Sequence, residues 1–214
     1  MARALLVLVG CVALVVASPS VGAPDGGAQA RISIFARPTV IGWAESALLY
    51  GTARGAGAQD IVRVDVKECG SPRFRPFVEA HASGGGGWST PVGVGVTATY
   101  RAVWRGRASA AVTIRQRANV VLERRRSGNG FVVSVSGMRS LWRKHVVVQR
   151  RQSGGWRTIR RVVLTDSVSS SGRVSVSQAT LRLSVAKGTP LRALLPGNQA
   201  APCYVESVSR TVRA

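Results

Sequence analysis

Apolar and polar residues alternate with a period of two along most of the chain. Val62, Val64 and Val66 alternate with Arg63, Asp65 and Lys67, which sets the valines on one face of an extended strand. Ala110, Val112 and Ile114 alternate in the same way with Ala111, Thr113 and Arg115, and Val133 and Val135 with Ser134 and Ser136. Val174 and Val176 alternate with Arg173, Ser175 and Ser177, and Leu181, Leu183 and Val185 with Arg182 and Ser184. Branching at Cβ favours such pleated surfaces. Turn signals separate the runs at Gly55-Ala56-Gly57, Gly84 to Gly87, Ser127 to Gly130, Ser153-Gly154-Gly155 and Ser169 to Gly172. Short alternating strands punctuated this way predict an all-β sandwich or barrel. The Gly84 to Gly87 run reads as a hairpin tip ahead of Trp88, and Val205 to Val212 as the last strand.

The first residues follow a different pattern. Met1-Ala2-Arg3 gives a basic start, and Ala4 to Ala17 is an uncharged, mostly apolar run. A helix of that length falls short of the hydrocarbon core of a bilayer. Small residues follow, with cleavage patterns after Ala17 and after Ala23, so residues 1–23 read as a secretory signal peptide. The expectation is an extracellular or cell-surface protein with no transmembrane segment in the mature chain. Leu8-Val9-Gly10-Cys11 spells a lipobox, but Val12 to Ala17 continue the apolar run beyond it, which favours a cysteine that merely falls mid-run over lipid anchoring at Cys11. Two cysteines remain after the leader, Cys69 and Cys203. An exported chain meets oxidising conditions, and both a single bridge between them and two free buried thiols stay open.

An internal repeat accompanies the strand pattern. Val64 to Phe77 aligns without gaps on Val146 to Ile159, a displacement of 82 residues. Phe74 then matches Trp156, Arg75 matches Arg157 and Phe77 matches Ile159; farther on, Arg101-Ala102 matches Arg192-Ala193. Such a period suits duplicated sandwich domains. The division falls near Gln116-Arg117-Ala118, giving domains at 24–117 and 118–214.

Thr97 to Gly106, with Thr99-Tyr100-Arg101-Ala102 followed by Trp104 and Gly106, resembles the penultimate strand of immunoglobulin-like and fibronectin-type-III-like domains of secreted actinobacterial proteins. Leu48 to Thr52, Val62 to Lys67, Phe74 to Ala80 and Gly86-Gly87-Trp88-Ser89 agree with that resemblance. It covers residues 31–115 well and 119–214 more weakly, where Leu191 stands at the tyrosine position. It implies two tandem immunoglobulin-like antiparallel β-sandwiches. It also implies that Tyr100 acts as a tyrosine corner, its hydroxyl bonding back to nearby backbone.

Reactive groups are sparse. His81 and His145 have no cysteine or carboxylate at metal-ligand spacing, and read as ordinary strand residues. The nine acidic residues mostly have an arginine or lysine within a few positions. There is no Gly-x-Ser-x-Gly elbow, and Gly84 to Gly87 is not followed by the Gly-Lys-Ser/Thr of a phosphate loop. No catalytic, cofactor or metal site is expected, and a non-enzymatic structural or adhesive module of the bacterial cell envelope or exterior is the first reading.

Charge gives the second. The chain holds 30 basic and 9 acidic residues, for a formal net charge of +21. Residues 24–117 carry 12 basic and 6 acidic residues, while residues 118–214 carry 17 and 3. The densest positions are Arg124, Arg125, Arg126, Arg143, Lys144, Arg150, Arg151, Arg157, Arg160 and Arg161. In a regular strand Arg143, His145, Val147 and Gln149 would share a face, as would Arg157, Ile159 and Arg161. Arginines aligned on one sheet, with Trp142 and Trp156 between them, would suit an anionic wall polymer, an acidic glycan or an anionic membrane surface, with nucleic acid only an incidental ligand. The contrary reading is a solvated charged face with both tryptophans in the core, and the match of Trp156 to Phe74 favours the core for Trp156.

Overall fold

A computed structural model describes residues 31–126, 130–170 and 174–214. The leader, with Cys11, Ala17 and Ala23, lies outside the described residues. The first half of the fold uses β1 (Phe35–Arg37), β2 (Val40–Ile41), β3 (Ser46–Thr52), β4 (Ile61–Glu68), β5 (Arg75–His81), β6 (Gly87–Gly93), β7 (Ala98–Trp104), β8 (Arg107–Ala108) and β9 (Val112–Gln116). One sheet has the order β1-β3-β6; the other runs β2-β9-β7-β4-β5, with β8 on β7. Pairing is antiparallel apart from β2 along β9.

The second half uses β10 (Asn119–Arg124), β11 (Gly130–Gly137), β12 (His145–Gln152), β13 (Gly155–Val163), β14 (Asp166–Ser170), β15 (Val174–Arg182) and β16 (Pro190–Leu195). A single turn of helix, α1 (Gly197–Ala200), leads to β17 (Ser207–Val208) and β18 (Val212–Arg213). Its sheets are β10-β11-β15-β14 and β13-β12-β16-β17, with β18 also on β16. The protein is all-β. Lettered in chain order, β10-β11-β15-β14 and β13-β12-β16-β17 are the ABED and C′CFG orders of an immunoglobulin-type sandwich, and β1-β3-β6 with β9-β7-β4-β5 are the ABE and GFCC′ orders.

Alternation builds the interior, since successive side chains point to opposite faces of each sheet. Ile41, Leu49, Val62, Val64, Val66, Tyr100 and Ile114 form one buried cluster. Leu122, Phe131, Val133, Val146, Val148, Leu191 and Leu195 belong to another.

Four details depart from the expectations. Gly84 to Gly87 is no hairpin tip: β5 and β6 lie in different sheets, and the glycine turn carries the chain between them. Gly86 adopts φ +77° there, and a Cβ would meet the Ala53 carbonyl. In β15 the buried face is Ser177, Ala179 and Leu181, so Val176 lies on the other side. Buried Ser177 is kept because its hydroxyl accepts the Leu141 N–H at 3.2 Å, which satisfies a polar group in the interior. Tyr100 is fully buried but its hydroxyl has no protein partner among the described residues, so it makes no tyrosine corner. Burial there pushes its phenol well above the usual range. The last strand, finally, is two short pieces, β17 and β18, rather than one run from Val205 to Val212.

The repeat survives in three dimensions with a changed register. Asp65 pairs with Arg101 and Val64 with Ala102 across β4 and β7; Gln149 pairs with Arg192 and Val148 with Ala193 across β12 and β16. Opposite this point β5 and β13 each carry one extra residue, Phe77 and Ile159, because Val64 pairs with Val78 but Asp65 with Pro76, and Val148 with Arg160 but Gln149 with Thr158. Asp65 therefore corresponds to Gln149, two residues beyond the ungapped match. Arg75 and Arg157 still correspond, because each pairs with the residue after the bulge pair, Val66 and Arg150. The segment between Arg150 and Arg157 is two residues shorter than that between Val66 and Arg75.

Candidate polyanion-binding surface

The joint between the two halves fixes where the arginines stand. Cys69, just after β4, is disulfide-bonded to Cys203, with the Cα atoms 5.3 Å apart. The Thr97 N–H donates to the Cys203 carbonyl and the Val205 N–H to the Gln116 carbonyl, both at 2.9 Å. Gln116 is buried and its side-chain amide donates to the Gly42 and Arg117 carbonyls. Val96 inserts into the second cluster. From the opposite side Tyr204 Oη accepts the Arg139 N–H at 2.9 Å, and the Arg139 guanidinium reaches the Cys69 carbonyl. Burial raises the Tyr204 phenol above its ordinary value.

Antiparallel pairing then sorts the ten basic residues expected to act together. Arg124 lies at the end of β10, with exposed Arg125 and Arg126 beyond it. Arg124 lines a hollow with Phe131, Leu183, Val185, Lys187 and Ala214. Arg150 and Arg157 are paired across β12 and β13, and Arg150 is also opposite Leu191, next to the Pro190–Arg213 pair. These residues thus gather at the end of the second sandwich remote from Cys203. Arg143 and Lys144 precede β12 at the opposite end, the one that faces the joint. Arg160 and Arg161 lie on the edge strand β13, opposite Val148 and Val147. His145, Val147 and Gln149 share an outer face as expected, but the bulge at Ile159 breaks the alternation of β13 and sets Arg161, Thr158 and Trp156 beside them. Ile159 packs instead against the core, so Arg157, Ile159 and Arg161 are not one stripe.

Neither tryptophan is a core residue. Trp142 is 47% exposed, donates its indole N–H to the Thr165 carbonyl at 3.0 Å, and carries the Arg143 guanidinium 4.1 Å above its ring. Half-buried Trp156 lies on the outer face with two guanidinium groups over it, Arg192 at 4.3 Å and Arg151 at 5.6 Å. Such stacking orders the cations while leaving N–H groups free to meet an anion. Arg192 was not among the expected residues. Its signal was present in the repeat, as the second Arg-Ala, but read there only as a mark of duplication.

His145 is held below imidazole's ordinary value, first by lost hydration and then by Arg161 and Lys144. Among the described residues, no group of three or more histidines, cysteines and carboxylates could hold a metal ion, and no helix is long and apolar enough to cross a membrane.

No family model and no curated protein matches the chain. Solved structures similar to it include a tetra-tandem repeat in the extending region of a large adhesion protein, 13% identical with a TM-score of 0.34, covering 86% of this chain and 49% of that one. Bovine butyrophilin is 10% identical with a TM-score of 0.30, covering 86% and 100%. An ICAM-5 D1–D4 ectodomain fragment is 15% identical with a TM-score of 0.30, covering 86% and 53%. This chain spans about half the length of the adhesion-protein and ICAM-5 chains. The assignment to immunoglobulin-type sandwiches rests on the strand order described above.

Proposed function

We propose that the protein is a secreted, non-enzymatic structural or adhesive module of the bacterial cell envelope or exterior, two tandem immunoglobulin-like domains (24–117 and 118–214) behind a cleavable leader. The observation that carries this reading is the Cys69–Cys203 bridge at the joint, since such cross-links persist outside the reducing cytosol. Fractionation of a bacterial host expressing the full chain tests it. The expected result is recovery outside the cytoplasm with an N-terminus at Ser18 or Pro24; retention of an intact leader in the cytosol would overturn it.

A second reading, binding of a polyanion by the second domain, is favoured by the arginines gathered at its end away from the joint. Carboxylates are scarce there, and the expected partner is an anionic wall polymer or similar surface. Phosphate-type contacts weaken steeply with salt. Changing Arg124, Arg125 and Arg126 together to serine is expected to lower retention on an anionic envelope fraction at low salt. Unchanged retention removes this cluster from the binding surface.

A further inference from the structure

Corresponding residues of the two sandwiches form the same side-chain arrangement, with carboxylates beneath the cations in the first and none in the second. In the first, the Phe74 ring lies under Arg101 at 4.4 Å and Lys67 at 5.4 Å. Beneath them Asp65, 2% exposed, accepts from Arg101 Nε and Nη2 at 3.1 and 3.0 Å and from Arg63 Nε at 2.8 Å. Glu68 accepts from Arg75 at 2.6 Å. Buried Asp65 thus sits directly against Arg101 and offsets its charge, and Glu68 does the same for Arg75.

In the second sandwich Trp156 stands for Phe74, Arg192 for Arg101, Arg151 for Lys67 and Arg157 for Arg75, and the geometry is kept. Both carboxylates are gone: Gln149 replaces Asp65 and Gln152 replaces Glu68. The Gln149 side-chain carbonyl still accepts from Arg192 Nε at 2.8 Å, so the guanidinium is aimed as its counterpart is, but its charge is not cancelled. Val147 stands where Arg63 would be.

We propose that Arg192 and Arg151, ordered on Trp156 and steered by Gln149, form a binding site for a phosphate-type oxyanion. The inference rests on the polyanion reading above and gives it a defined site. Arg192 keeps both terminal nitrogens for bidentate contact with such a group. Because two guanidinium groups already lie over the Trp156 indole, the ring is not free to stack on a base or sugar, and the recognised group is the phosphate itself. The first sandwich shows what closes the site, a carboxylate in place of Gln149.

The test uses the mature oxidised chain, with inorganic polyphosphate and inorganic phosphate as separate probes in calorimetric titration. Gln149→Asp is expected to weaken polyphosphate binding about tenfold, the equivalent of one charge-assisted contact, and Arg192→Gln to do the same. Thr180→Asp, which makes the same change in net charge at an exposed position of β15 in the other sheet, is expected to leave binding near that of the unaltered chain. Circular dichroism confirms that each variant folds, and Arg192→Gln decides if Gln149→Asp does not. Tighter binding of polyphosphate than of phosphate assigns the site to a polymer, and equal binding to a free anion; both support it. Equal weakening by Thr180→Asp and Gln149→Asp, or no weakening by Gln149→Asp and Arg192→Gln, overturns the site while leaving polyanion binding intact. Absence of saturable binding by the unaltered chain overturns both.

Discussion

Replacing Cys69 and Cys203 together by serine is expected to lower the stability of the chain by about 2–4 kcal/mol. The bridge spans 134 residues and closes a loop that runs from the end of β4 through most of the second sandwich. Cutting it releases that long segment in the unfolded chain, where the main gain in entropy lies. In the folded state the Thr97–Cys203, Gln116–Val205 and Arg139–Tyr204 hydrogen bonds remain, so each sandwich keeps its fold while the joint loosens. Thermal unfolding of the double variant beside the oxidised chain checks this. Equal melting temperatures would show that the joint is held by its hydrogen bonds and Val96 alone.

Gly51→Ala is expected to cost about 3 kcal/mol, at the upper end of overpacking penalties. A Cβ at Gly51 would run into the Ser33 carbonyl oxygen and lie 3.0 Å from Trp88 Cζ2. The first clash is with backbone, which side-chain rotation cannot relieve. The segment holding Ser33 is tied to β3 by the Ser33 N–H to Thr52 carbonyl bond and by Ser33 Oγ to the Thr52 backbone and hydroxyl. Accommodating a methyl group means breaking that seam or displacing Trp88 from the first core. Chemical denaturation would register the loss, and a variant as stable as the parent would contradict the packing described.

Much of this architecture was legible in the period-two alternation of Val62, Val64 and Val66 and of Val133 and Val135, because a face buried between sheets forces apolar side chains to every second position. What escaped were places where local geometry breaks the period. The bulged residues Phe77 and Ile159 shift the alternation of β5 and β13, and the shorter turn before Gly155 displaces β12 by two residues in the repeat. That shift hid the replacement of Asp65 by Gln149. Ser177 reads as an outward residue because a hydroxyl satisfied inside a core leaves no trace in hydropathy. The tryptophans misled for a related reason: a large ring can be covered by guanidinium groups instead of by a core. Neighbourhood in sequence was likewise a poor guide to the basic surface. Arg143-Lys144 and Arg150-Arg151 lie at opposite ends of one strand, whereas Arg192 reaches Trp156 from another strand of the sheet.

Counting reactive thiols in the mature protein, unfolded without reductant, probes the locked pair of sandwiches most directly. The account predicts that neither Cys69 nor Cys203 reacts with a thiol reagent until reductant is added. Two thiols that react at once in protein recovered from outside the cell would contradict it.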